Sequence, residues 1–216
     1  MMYKLVFALF GFLFVVGCEQ QAPPTEQIYP WQVTRLPDGG SRVFGIQFNQ
    51  TTLEGARSIL GTRYDEGLFE NPDGSLSLEI YFNEVTLGGL SGKYILLLDA
   101  PPSQLKAIKQ RATRSKRMES GARRYRMAPA DREKLDSMVI SALSYIPYTN
   151  LDEEMIRQRF GLPDDIIVLK EGKRHWLYPD KGLDLLLDDD GKELLQYVAP
   201  RDFERVRKPL LRQVGS

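Results

Sequence analysis

The sequence has very little of the chemistry on which most hydrolases and metal proteins depend. Its 216 residues include one cysteine and one histidine. A single thiol excludes a disulfide within the chain, and one histidine with one cysteine cannot supply the common zinc ligand sets. A nucleophile–histidine–acid triad would have to use His175, and no acid near it in the sequence is placed to orient it. We therefore predict that the protein is not an enzyme and has no cofactor or metal, with a hydrolase built on His175 as the least favoured alternative.

Long hydrophobic runs are absent after the first sixteen residues, so no later segment predicts a membrane span. Charges are balanced, 29 Lys and Arg against 29 Asp and Glu, which argues against a nucleic-acid-binding protein. The distribution is uneven, however, because residues 104–134 hold eleven basic and three acidic residues, a net charge of +8. This basic stretch is the strongest charge feature of the chain.

The N-terminus carries the clearest pattern in the sequence. Lys4 precedes an apolar run from Leu5 to Val16, which is too short for a resident transmembrane helix and is typical of a secretory signal peptide. The run ends in Val15-Val16-Gly17-Cys18, which resembles the lipobox of bacterial lipoproteins. In that family a signal peptidase cuts before the cysteine, and the cysteine carries fatty acyl chains such as palmitate. The resemblance implies a signal peptide over residues 1–17 and lipidation of Cys18.

Residues 18–27 are polar and lack a hydrophobic period, which predicts a flexible tether between the lipid and the folded chain. Glu19 follows the cysteine, whereas in enterobacterial lipoproteins an aspartate at this position favours the inner membrane. We therefore expect the protein in the bacterial cell envelope, lipid-anchored to the outer membrane and facing the periplasm.

Two segments about 100 residues apart begin with the same helix signals. Thr51-x-x-Glu54 and Asn150-x-x-Glu153 match the capping box at a helix N-terminus. Gly61 and Gly161 follow at positions where glycine commonly ends a helix. The spacing thus predicts a helix in each half of the chain, and the repeated order indicates an internal repeat.

Strand patterns follow each predicted helix, most clearly the alternation of apolar residues over Leu76–Asn83 and Leu183–Leu187. These patterns predict an α+β fold of two tandem small modules, each a helix packed on a three-stranded antiparallel sheet. The predicted boundaries are a first module over 28–102, a basic helical linker over 103–147, and a second module with a C-terminal helix over 148–216.

Three further local predictions follow from the same patterns. Arg42–Asn49 alternates like one strand. Pro129 predicts the start of a linker helix with Leu135, Met138, Val139 and Ala142 as its buried stripe. Pro209 should end or kink the C-terminal helix.

Three pieces of the second module carry a family resemblance. They are Arg159-Phe160-Gly161-Leu162-Pro163, His175-Trp176-Leu177-Tyr178, and Leu183 to Gly191 with its acidic turn. Their order resembles the SmpA/OmlA family, the small lipoprotein of the outer-membrane β-barrel assembly machinery, and the related β-lactamase-inhibitor-protein fold, which can occur as a tandem repeat. The resemblance covers about residues 149–199 and, more weakly, 50–99. It implies binding rather than catalysis.

Candidate binding residues come from the basic stretch and from the aromatic residues. A cationic segment near a membrane gains about 1 kcal/mol per charge from anionic lipid, and it can equally bind an acidic protein. The alternative is a solvated segment that only keeps the protein soluble. Aromatic residues are common both at interfaces and in sheet cores. The candidates for membrane or partner binding are Arg114, Lys116, Arg117, Arg123, Arg124, Arg126, Trp176 and Tyr178.

These features together predict a lipid-anchored periplasmic protein–protein interaction module, acting in outer-membrane protein assembly or envelope maintenance. Its expected partners are the membrane, through lipidated Cys18, and envelope proteins such as the β-barrel assembly machinery. Anionic lipid is a further candidate, and nucleic acid is not expected. The faces or edges of the sheets would supply the docking surface. The alternative is an inhibitor or regulator of a periplasmic enzyme, which rests on fold analogy alone.

Overall fold

The structure is a computed structural model that describes residues 28–169, 172–188 and 193–214. The predicted signal peptide, Cys18 and the tether lie outside the described residues, as does the turn Asp189-Asp190-Gly191. Among the described helices, none combines the length and the apolar character needed to cross a bilayer.

The described residues form thirteen strands and five α-helices, which confirms the predicted α+β class. The strands are β1 (Thr34–Arg35), β2 (Ser41–Val43), β3 (Ile46–Gln47), β4 (Asp65–Glu70), β5 (Leu76–Leu87), β6 (Leu90–Leu98), β7 (Arg114–Arg117), β8 (Arg123–Arg126), β9 (Ile140–Pro147), β10 (Asp165–Val168), β11 (Arg174–Tyr178), β12 (Leu183–Leu187) and β13 (Leu194–Val198). The helices are α1 (Leu53–Leu60), α2 (Pro102–Arg111), α3 (Pro129–Arg132), α4 (Glu153–Phe160) and α5 (Glu204–Val214).

Ten of these strands form one antiparallel sheet in the order β10-β11-β12-β13-β9-β6-β5-β4-β8-β7, and β1–β3 form a small separate sheet. β9 lies inside the large sheet, where it pairs with β6 on one side and β13 on the other. One row of the register runs from Tyr81 through Ile95 and Ser144 to Gln196. Strands from both halves of the sequence therefore share one continuous surface.

The two faces of the large sheet are covered differently. On the first face, Leu78 and Ile80 of β5 belong to the same buried cluster as Leu185 and Leu195 of the other half, together with residues of α1 and α4. On the second face, a smaller buried cluster packs α5 against β10, β11 and β13. Beyond α5, Ile95 and Leu97 of β6 and Ser144 and Ile146 of β9 remain only half-buried on this second face.

Both predicted module helices form, but their caps differ from the predicted boxes. α1 is capped by Thr52, whose hydroxyl accepts from a backbone amide of the first turn at 3.2 Å. α4 is capped by Asp152, whose carboxylate accepts from a first-turn amide at 2.7 Å. The predicted caps, Thr51 and Asn150, lie one and two residues too early. They are wrong because an N-cap must adjoin the first helical turn. Gly61 and Gly161 end the helices with φ of 97° and 85°, as predicted.

The predicted helical linker over 103–147 is helical only in part. α2 and the short α3 form there, but 114–126 folds as a β7–β8 hairpin and 140–147 is strand β9. The predicted stripe of Leu135, Met138, Val139 and Ala142 is therefore not one helix face. Burial alternates from Ser141 to Tyr145, as in a strand with one covered face, and pairing with β6 and β13 fixes this segment as a strand.

Two further local predictions are corrected. The predicted strand over 42–49 is the pair β2 and β3, because Phe44 and Gly45 have φ of 52° and 76° and reverse the chain. α5 does not end at Pro209 and continues to Val214. Leu210, directly after the proline, is buried in the cluster beneath α5, and this packing favours continuation of the helix.

Candidate functional site

The six basic candidates come together on the β7–β8 hairpin at one end of the large sheet. Each faces another basic residue across the hairpin: the pairs are Arg114 with Arg126, Lys116 with Arg124, and Arg117 with Arg123. Like charges directly opposite each other destabilise a sheet. A negatively charged ligand or partner would relieve that repulsion.

Side chains alternate along each strand, so the first two pairs project from one face of the hairpin and the third from the other. The four cations of the first face, with Arg132, line a cleft of ≈ 690 Å³ beside the start of β4. Asp65 and Glu66 border the cleft, and Glu66 pairs with Arg132 at 2.5 Å. Among the described residues, the four hairpin cations of the cleft form no ion pair. The cleft therefore keeps a net positive charge.

Arg124 and Tyr125 fix the hairpin to the sheet from opposite faces. Arg124 Nη2 donates to the Glu66 carbonyl at 2.9 Å, and its guanidinium lies 5.9 Å from the Phe69 ring centroid. The Tyr125 hydroxyl donates to Glu70 at 2.7 Å, and Glu70 also accepts from Lys109 of α2. The hydrogen bonds from Lys109 and Tyr125 lower the pKa of Glu70, so this carboxylate is ionised at neutral pH.

Asp131 ties the base of the hairpin to α2. Its side chain is buried, and it accepts from Arg111 Nε at 3.0 Å and from Arg111 Nη2 at 2.7 Å. The hydrogen bonds from Arg111 lower the pKa of Asp131 below its usual 3.8. Arg111 precedes β7 and Asp131 follows β8, so the pair fixes both ends of the hairpin segment.

Replacing Asp131 by Asn should lower the free energy of unfolding by about 2 kcal/mol at pH 7, because it breaks a charge-assisted pair at a buried group. The folded pKa of Asp131 is below its unfolded value, so this stabilisation is complete above the unfolded pKa of 3.8. It is lost as the pH falls through the folded pKa. Urea denaturation of both proteins at pH 7 and at pH 3 measures the difference, with Asp65→Asn as an exposed control. A difference of equal size at the two pH values would contradict the ion pair.

The uncovered part of the second sheet face is an apolar groove of ≈ 430 Å³. It crosses β5, β6, β9 and β13, and Arg205 and Val206 of α5 form one wall. The floor is mostly apolar: Ile95, Leu97, Ala142, Ile146, Leu194 and Val198 surround the polar Ser144 and Gln196. Most of these apolar side chains are only half-buried. A contiguous, partly exposed apolar patch with a polar rim is typical of an interaction site.

A hydrogen-bonded carboxylate marks the end of the groove nearest the hairpin. Glu79 accepts from the Ser77 hydroxyl at 2.5 Å and from the Tyr81 hydroxyl. Burial and the adjacent Glu79 carboxylate raise the pKa of Tyr81, so its hydroxyl remains a neutral donor. The Tyr81 ring lies 5.6 Å from the Phe69 ring, against which Arg124 packs. Groove and hairpin are thus joined, and we call them together the open face: the groove residues, Tyr81, Phe69, and the four cations Arg114, Lys116, Arg124 and Arg126.

The two aromatic candidates are not on this surface. Trp176 and Tyr178 are each 1% exposed and belong to the core on the first face. The Arg157 guanidinium of α4 lies 4.5 Å from the Trp176 ring, and the Tyr178 hydroxyl donates to the Gly161 carbonyl at 3.1 Å. Their predicted surface role is wrong, because both side chains are buried in the core on the first face, beneath α4.

His175 has an acidic partner, contrary to the prediction from the sequence. Its Nδ1 lies 2.9 Å from an oxygen of Asp184, and both side chains are buried. The two residues sit on neighbouring antiparallel strands, so the register of β11 with β12 brings them together. Among the described residues no hydroxyl or thiol hydrogen-bonds to the imidazole, so the described part of the chain contains a His–Asp pair without a nucleophile.

The structure thus divides the candidate residues into three places: four cations on the open face, Arg117 and Arg123 on the other face of the hairpin, and the two aromatics in the core. The described ranges contain no cluster of three His, Cys, Asp or Glu side chains suited to a metal ion. Comparisons with protein-family models, curated proteins and solved structures found no match.

Proposed function

We propose that this protein is a lipid-anchored periplasmic interaction module that docks envelope proteins on its open face, in outer-membrane protein assembly or envelope maintenance. The observation that carries the proposal is the half-buried apolar groove that continues into the basic hairpin. Protein interfaces commonly combine an apolar centre with a polar or charged rim. The cations at one end would set the orientation of a partner and speed its association.

The proposal includes two tandem α+β modules that have merged into one sheet. α1 followed by β4–β6 and α4 followed by β10–β13 repeat the predicted order of a helix before antiparallel strands. In this arrangement β9 joins the two sets of strands edge to edge. Duplication would thereby produce a docking face longer than either module alone provides.

Lipidation of Cys18 would keep the open face within reach of membrane-bound partners. Nine residues lie between Cys18 and Ile28, and the ten Cα–Cα steps span at most about 35 Å when extended. Ile28 and Tyr29 pack against Gly88 at the turn between β5 and β6, which are two of the strands that form the groove. Such a tether raises the effective concentration of the docking face near the membrane without adding a contact.

Site-specific photo-crosslinking in cells tests the docking proposal. A photoreactive residue at Leu97 should capture a defined envelope protein, whereas one at Ser58, on the exposed side of α1, should not. Leu97→Glu places a carboxylate in the groove and should reduce capture from a photoreactive residue at Ile146 by about tenfold or more. Equal capture from Leu97 and Ser58 would contradict docking on the open face.

The identity of the captured protein separates the two functional hypotheses. Subunits of the barrel-assembly machinery favour a role in outer-membrane assembly. Repeated capture of one soluble periplasmic enzyme favours the inhibitor or regulator instead.

A further inference from the structure

We propose that the basic hairpin binds an acidic, extended peptide segment of a partner, which pairs with β7 as an eleventh strand of the large sheet. This inference deepens the proposed function and rests on it for the setting in which the partner is met. Its site is the edge of the sheet, whereas the groove lies on the face. The two can therefore fail independently.

Among the described residues, β7 has a strand partner on its inner edge alone, so its outer edge can accept a strand. β7 is the last strand of the sheet, and in the described chain β8 is its one neighbour. Met118 N donates to the Ala122 carbonyl at 2.8 Å. Because hydrogen-bonded and non-hydrogen-bonded pairs alternate along an antiparallel ladder, Lys116 bonds inward, while Ser115 and Arg117 turn their N–H and C=O groups outward. An edge of this kind is a template for strand addition.

Protection of the edge against aggregation explains only part of the charge pattern. Charged residues on an edge strand discourage unwanted pairing, which accounts for the cations of β7 itself. β8 is not an edge strand, and its Arg123, Arg124 and Arg126 each stand opposite a cation of β7. These like-charge pairs destabilise the hairpin in isolation. An acidic strand beside β7 would place negative charge directly next to the β7 cations and about 10 Å from those of β8.

The residues of β7 also indicate the chemistry of the added strand. β7 reads Arg114-Ser115-Lys116-Arg117, with no apolar side chain, so a hydrophobic strand would find no complementary surface. Arg114 and Lys116 project on the same side of β7, where they also face Arg126 and Arg124 of β8. Glu or Asp at alternating positions of the partner strand would lie opposite these two side chains. Opposite charges across neighbouring strands stabilise the pairing. A phosphate group or a lipid surface would use the same cations but not the outward N–H groups.

The test uses purified full-length protein in a nonionic detergent and a fluorescent peptide, Glu-Thr-Glu-Thr-Glu-Thr-Glu, followed by anisotropy. Ser115→Pro removes an outward N–H and leaves the β7–β8 ladder intact, since proline is tolerated on edge strands where the N–H faces solvent. Ser115→Val is the matched control that keeps the N–H. We expect Ser115→Pro to weaken peptide binding by about tenfold and Ser115→Val by less than about twofold. Arg117→Pro is the second, independent variant, and circular dichroism checks that each variant is folded.

Amide hydrogen exchange at Ser115 and Arg117 should slow when the peptide binds, because their N–H groups become hydrogen-bonded. Equal affinity of folded Ser115→Pro, Arg117→Pro and Ser115→Val would overturn strand addition. If the three variants bind the peptide equally and pyrophosphate or phosphatidylserine vesicles displace it fully, the hairpin binds phosphate or lipid instead. Equal binding of a Lys-Thr peptide of the same length would also overturn the proposal. Crosslinking from Leu97 tests the groove separately. If that capture persists while peptide binding fails, only strand addition is refuted, and loss of capture refutes docking in the groove.

Discussion

Replacing Cys18 by Ser should abolish lipid attachment and signal-peptide cleavage completely. The lipobox resemblance implies that the peptidase cuts only before a cysteine whose sulfur carries diacylglycerol, and a serine hydroxyl is a much weaker nucleophile than a thiol. Labelling with a palmitate analogue and mass spectrometry of the purified protein measure the effect. The wild type should have the mass of residues 18–216 plus acyl chains, and the variant should keep residues 1–17 without label.

The loss of the acyl chains should release the protein from the membrane, because these chains supply the binding free energy. Each buried methylene contributes about 0.8 kcal/mol, so one acyl chain binds a membrane weakly and two or three bind it firmly. Glu19→Gln, at the adjacent position, is the matched control and should leave both labelling and cleavage unchanged. A free thiol or an intact leader in the native wild-type protein would refute the predicted anchor and, with it, the proposed location.

Gly182→Ala should destabilise the fold by about 3–5 kcal/mol and lower the midpoint of thermal unfolding by roughly 10 °C. Gly182 lies in the turn before β12 with φ +63°, and an added Cβ would lie 2.0 Å from the Val198 carbonyl oxygen. Val198 N donates to the Gly182 carbonyl at 2.9 Å, so neither backbone segment can move away freely. The substitution therefore adds a backbone clash to an unfavourable backbone conformation.

Gly74→Ala separates these two contributions. Gly74 also has a positive φ, +82°, but an added Cβ would meet no atom within 4 Å. It should cost only the conformational term, about 1 kcal/mol. Urea denaturation of the two variants gives the comparison. Similar losses of stability would show that the contact with the Val198 carbonyl is relieved by small movements.

Local elements of this fold could be predicted because their signals lie within a few neighbouring residues. α1 and α4 need only an apolar spacing, a capping side chain and a following glycine, and all three occur within about ten residues. β5 and β12 follow from alternation alone. The exact caps at Thr52 and Asp152 could not be chosen from the sequence, because several polar residues precede each helix.

The candidate site was predicted as a list of six cations and two aromatic residues, but its shape depends on pairing between distant residues. The basic stretch gave no signal that Arg114 would face Arg126, because charged residues fit a helix or a hairpin equally well. The groove was not predicted at all. Its floor joins Ile95 of β6 with Ser144 of β9 and Gln196 of β13, and no local pattern records that these strands are neighbours.

The amino-acid sequence by itself determined the α+β class and the concentration of positive charge, and it predicts a leader with a lipobox, because each depends on composition or on spacing along the chain. The tertiary structure alone decided that β9 is a central strand, that Trp176 and Tyr178 are core residues, and that His175 meets Asp184. These outcomes depend on which strands pair and which face a helix covers. Burial and long-range hydrogen bonding settle such choices between local conformations that the sequence leaves nearly equal in energy.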